Sequence, residues 1–259
     1  MKETQALVPT NPLTYIVGGF LLFLAVSYNY IGGNFMKKTT NIRKIVAIGL
    51  LCAIAYLVVF IFRFSFIPTA SFLQYEAKDV IIVIGGLIFG PLSALIISII
   101  VSFIELITIS DTGPIGFLMN VVASASFACL PAILYRRKKN NFSLIIGLIL
   151  GTIFMTIIMI LWNYLITPMY MGVPRNVIAD MIVPVFLPFN LIKGGINAFV
   201  TIIIAQPIMR ILRKSKLIDD GKNSFSDTKK SSLIFTILFG IFGLITCAYF
   251  VLILNGTIK

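Results

Sequence analysis

Runs of about twenty apolar residues recur along the chain, and a helix of that length crosses the hydrocarbon core of a bilayer. Clear spans fall at roughly 13–31, 42–62, 114–135, 143–166, 184–209 and 232–255. The stretch Val80 to Ile109 has room for one span or two. Only 12% of residues are charged, against about 25% in soluble domains, so the chain reads as an all-α integral membrane protein. The longest polar stretch, Arg213 to Ser232, is too short to bury a core of its own.

Basic residues settle the parity. Lys37, Lys38, Arg43 and Lys44 form one cluster, Arg136, Arg137, Lys138 and Lys139 a second, and seven residues from Arg210 to Lys230 a third. With two spans in Val80–Ile109 and a turn at Gly90-Pro91, all three clusters share one face. The positive-inside rule assigns that face to the cytoplasm. Eight spans result, with both termini outside. Val80 to Phe89 then covers only about 15 Å as a helix, so it is short or starts earlier, with Glu76, Lys78 and Asp79 in its first turn. Backbone that stops within the membrane is tolerated only against protein or a wet cavity, so a cavity beside Phe72–Asp79 is expected.

Lys193 stands inside an otherwise apolar span, where a charge costs roughly 2.5–3.5 kcal/mol unless it finds a partner or ligand. Asn190 and Asn197 share its helical face. On the eight-span topology, Tyr75, Glu105, Thr112, Asn120, Asn163 and Tyr164 fall at a similar depth, toward the outside. Each also has a structural reading. Trp162, Tyr164 and Tyr170 fit an interfacial aromatic belt. Glu105 and Lys193 fit an ion pair, and Asn120, Asn163 and Asn197 fit interhelical hydrogen bonds. As a set, they offer donors and acceptors with little net charge, which suits a neutral polyhydroxylated or amide-edged molecule with a flat apolar body. The small residues Gly49 and Ala53 let another helix approach the first core span, either within the bundle or on a partner subunit.

The chain has no histidine and no nucleotide-binding G-x-x-x-x-G-K-[ST] loop. Cys52, Cys129 and Cys247 all fall in apolar spans, so neither a disulfide framework nor a metal cluster is expected. A single intramembrane carboxylate, Glu105, makes a poor proton relay. These absences argue against an enzyme and against a stand-alone pump. The net charge of +12 marks membrane orientation and not nucleic-acid binding.

Four segments carry a resemblance: Phe72–Val80, Gly85–Pro91, Trp162–Gly172 and Leu187–Gly195. Together they resemble the riboflavin-binding S components of energy-coupling factor (ECF) transporters, over about Met36 to Arg213. The resemblance implies a six-helix S-component bundle that captures riboflavin from outside the bacterial cell membrane. It also implies a coupling transmembrane subunit and two ATPase subunits as partners, with no cofactor. Tyr75, Asn163, Asn190 and Lys193 are carried over as ligand contacts, and Gly49 with Ala53 as the docking face. Residues 1–35 then form an extension with one span, 36–216 the core, and 217–259 a cytoplasmic linker with a final span. FMN would want more cations than Lys193, with Lys78 and Arg175 peripheral, so riboflavin is favoured. FMN, another flavin, or a self-sufficient permease for a vitamin or nucleobase-like compound are the alternatives.

Overall fold

The computed structural model describes residues 42–214 and 230–255, together with Gly18. The expected span at 13–31 and most of the linker therefore lie outside the described residues. The long helices are α1 (Ile42–Ile61), α2 (Lys78–Phe89), α3 (Pro91–Thr108), α4 (Gly113–Lys138), α5 (Asn141–Leu165), α6 (Leu187–Lys214) and α7 (Lys230–Leu254). Two short helices, Thr167–Met171 and Arg175–Met181, precede a π-helical turn at Ile182–Phe186 that runs into α6.

Among the described residues, six stretches are long and apolar enough to span a membrane, the fifth running through from Arg175 to Met209. Helix α2, with twelve residues or about 18 Å, falls short of that length. Val80–Ile109 thus holds two helices, but only the second is of spanning length, so the described residues show six candidate spans where eight were expected, the one at 13–31 lying outside them. Gly90 divides them with φ 98°, a conformation an L side chain rarely takes, and Pro91 starts the next helix, where its missing N–H costs nothing. The side chain of Arg136 occupies the space that a Cβ on Gly90 would fill. Helix directions alternate, so Gly90, Lys139 and the C-terminal end of α6 all lie on the same side of the bundle, away from residues 62–77.

Small residues set the packing. A Cβ added at Gly147 or Gly151 of α5 would meet Pro131 or the Phe127 carbonyl of α4, so the two backbones cross in close contact. Helix α4 is the centre, with 61% of its span buried, whereas α1 and α7, at 17% and 11%, turn most of their surface outward. Large exposed apolar residues on those two helices, among them Ile45, Leu50, Phe60, Ile241 and Phe242, suit a lipid surround.

Between α1 and α2 the chain makes a small hairpin. Strand β1 (Arg63–Phe64) pairs antiparallel with β2 (Tyr75–Glu76), setting Arg63 opposite Glu76 and Phe64 opposite Tyr75. Its apolar residues Phe66, Ile67, Ala70 and Leu73 are buried against Phe186, Phe189 and Ile192. The Phe66 and Phe189 rings stack at 5.0 Å. The hairpin therefore folds down over the start of α6 as a roof.

Candidate functional site

Prolines shape the entry to α6. Pro184 and Pro188 lack an N–H, so the carbonyls four residues before them lose their α-helical donors. The chain takes the π turn instead, with the Leu187 N–H donating to the Ile182 carbonyl. The carboxamide of Asn190 then donates to the Phe186 carbonyl at 2.8 Å. Asn163 on α5 is held likewise, donating to the Met159 carbonyl at 2.7 Å and accepting from the Thr167 hydroxyl at 2.9 Å. Each Asn is fixed by these bonds and keeps a second N–H for another partner.

Beneath the roof lies a cavity with about 580 Å³ of empty space, part of it continuous with solvent. Its polar lining comprises Arg63, Glu76, Thr112, Asn120, Asn163, Asn190 and Lys193, and its apolar lining includes Met119, Met155, Met159 and Phe189. Five of the residues singled out in the sequence, Thr112, Asn120, Asn163, Asn190 and Lys193, thus meet on one surface. Binding pockets of small molecules commonly show this mix of apolar wall and few polar groups.

Three others stand elsewhere. Tyr75 is buried, and its hydroxyl donates to Asn197 Oδ1 at 2.9 Å, away from the cavity lining. Glu105 is buried behind Asn120, whose Nδ2 donates to it at 3.1 Å. Tyr164 is 40% exposed, since one residue's turn from buried Asn163 carries it to the outer face of α5. Trp162, a candidate for the aromatic belt, is buried in the core instead.

A buried charge network backs the cavity. Glu76 Oε2 accepts from Lys78 at 3.0 Å and from Lys193 at 3.5 Å. Lys78 also donates to Glu105 Oε2 at 2.5 Å. The carboxylate of Asp79 accepts from Ser124 at 2.6 Å and from Asn197 at 3.2 Å. Asn197 also donates to the Glu76 carbonyl, so it ties the roof to α6. Burial favours the neutral form of Glu76, but Lys78 and Lys193 outweigh it and hold the carboxyl down at about 2. For the Tyr75 hydroxyl, burial and then the Asp79 carboxylate act together and push it well up.

This geometry corrects the expected ion pair. Lys193 pairs with Glu76 and not with Glu105, whose cation is Lys78. Lys78 is fully buried and not a peripheral cation, while Arg63, which sequence reasoning missed, stands in the cavity lining. Arg63 donates through Nη1 to the Ile109 carbonyl and lies 4.0 Å from Asp111, with its buried Nε unpartnered among the described residues. One signal was available for the network: Glu76, Lys78 and Asp79 crowd the start of a helix too short to span the membrane, although Glu76 stands in β2 just before the helix and not in its first turn as expected.

The described apolar helices thus surround a roofed, donor-rich cavity. The family model described as "ECF transporter, substrate-specific component" matches residues 43–205, and the chain belongs to that family of multi-pass membrane transport components. A relative named riboflavin transporter RibU from Staphylococcus aureus is 31% identical over 180 residues, covering 66% of this chain and 93% of its own length. The RibU of Streptococcus thermophilus is 30% identical over 208 residues, covering 76% and 94%. Riboflavin transporter FmnP of Bacillus subtilis is 30% identical over 163 residues, covering 60% and 85%. A solved S component of a bacterial ECF transporter superposes with a TM-score of 0.55 at 30% identity, over 66% of this chain and 97% of that one.

Proposed function

We propose that this S component captures riboflavin from outside the cell in the roofed cavity, for uptake powered by a coupling transmembrane subunit and two ATPases. The observation that carries the reading is the cavity wall. Lys193 uses one long contact to Glu76 and keeps two further N–H donors, and Asn190, Asn163 and Asn120 flank it. These groups match ribityl hydroxyls and the polar edge of an isoalloxazine ring. Met119, Met155, Met159 and Phe189 supply soft apolar surface for the ring itself. The names of the three relatives support the same ligand.

On this reading the roof side faces outward and the basic clusters face the cytoplasm. Gly49 and Ala53 form the docking face for the coupling subunit. Both are exposed, and nothing lies within 4 Å of a Cβ built on Gly49. Helix α7 packs on α6 and leaves that face open among the described residues.

Arg63 favours a second ligand. Arg63 and Lys193 both line the cavity, and two cations suit a phosphate, so FMN is the alternative. Glu76 and Asp111, close to the two cations, offset that attraction. Titration of the purified protein with riboflavin and with FMN, followed by flavin fluorescence quenching, decides between them. Tighter riboflavin binding supports the main reading. Tighter FMN binding that Arg63→Gln reverses supports the alternative, and quenching by neither ligand overturns both.

A further inference from the structure

Helix α7 lies beyond the family match, which ends at residue 205. Its residues Gly240, Gly243, Leu244, Cys247, Val251 and Leu254 are all shielded and recur every three or four positions, forming one stripe. Most of the opposite surface is exposed and apolar, Leu238 and Ile245 included. The stripe grips α6 at its lower end. Phe199 and Ile203 occupy the space that side chains on Gly243 and Gly240 would take, and the Phe199 and Phe239 rings lie 5.8 Å apart. Higher up, Cys247 Sγ faces Gly195, two residues past Lys193. At its outer end, Val251 and Leu254 pack against the apolar cluster that joins Phe66, Ile67 and Leu73 of the hairpin to Phe189 and Ile192 of α6.

We propose that α7 is a clamp on the roof: anchored to α6 by its glycine step, it presses Val251 and Leu254 onto the hairpin and slows release of the bound molecule. Opening the hairpin exposes the cluster that seats it, and apolar surface contributed by α7 adds to the cost of that exposure. The effect therefore falls on residence time more than on capture. Val251 and Leu254 act through the roof, as positioning residues.

The test uses the full-length protein with a Val251→Ala/Leu254→Ala double substitution, and Leu238→Ala/Ile245→Ala on the exposed face as the control. Amide hydrogen exchange is read at residues 63–77 and, as an internal reference, at residues 122–129 of α4. Riboflavin release is followed by stopped-flow fluorescence. The clamp predicts faster exchange at the hairpin alone and release accelerated by roughly fivefold, with the control unchanged. Unchanged hairpin exchange, an equal acceleration in α4, or unchanged release from a loosened hairpin overturns it. The release arm rests on riboflavin being the ligand. If the unsubstituted protein gives no riboflavin signal, that reading fails, while the exchange arm still decides whether α7 holds the roof.

Discussion

Two buried lysines, far apart in sequence but sharing the Glu76 carboxylate, do different work. Lys78 is enclosed between Glu76 and Glu105, so removing its charge strands two buried carboxylates. Lys78→Met is expected to destabilise the fold by about 3–5 kcal/mol, read as a lower unfolding temperature in detergent. Lys193 has one long ionic contact and faces the cavity. Lys193→Ala should weaken riboflavin binding by roughly 1–3 kcal/mol in a quenching titration, with the unfolding temperature much less affected. Glu76 gives a pH signature. Its carboxyl is held down at about 2 from an ordinary 4.5, so its stabilising contribution is complete above 4.5 and is lost as pH falls toward 2. Acid titration of the unfolding temperature is expected to show that decline, and Glu76→Gln to flatten it. Lys193, Asn163 and Asn190 were legible as rare polar groups in apolar spans. Glu76, Lys78 and Asp79 were legible as the start of a short helix beside a cavity, but their pairing was not, because partners distant in sequence meet only once the fold tucks the run under the roof.

Among the elements, the pair α2 and α3 was readable from charge parity and the Gly90-Pro91 turn. The hairpin and the π turn before α6 were not. Strands of two residues leave no alternating pattern, and what Pro184 and Pro188 do to the local hydrogen bonds depends on the packing around them. Close crossing of α4 and α5 depends on Gly151, whose Cβ would run into the Phe127 carbonyl. Gly151→Leu should therefore cost about 1–3 kcal/mol or more, because backbone is less able to give way than a side chain. Gly49→Leu is the counterpart on an open surface. It should leave the unfolding temperature and riboflavin binding unchanged while abolishing co-purification with the coupling subunit. Retained co-purification would move the docking face elsewhere.

At the scale of the whole molecule, long apolar helices leave lipid-facing surface on α1 and α7 and surround a polar cavity under a hairpin roof. Composition and span length made the membrane class plain, and four short motifs pointed to the family. The placement of α7 along α6 lay beyond reach, since its apolar residues give little sign of which face is buried; only Gly240 and Gly243 hint at it. The central claim is that Lys193 and its asparagine neighbours hold riboflavin. An absorption spectrum of the protein purified from cells grown with riboflavin tests this most directly. The account predicts flavin bands at about one ligand per chain, lost in Lys193→Ala. A colourless protein that also fails to quench added riboflavin would contradict it.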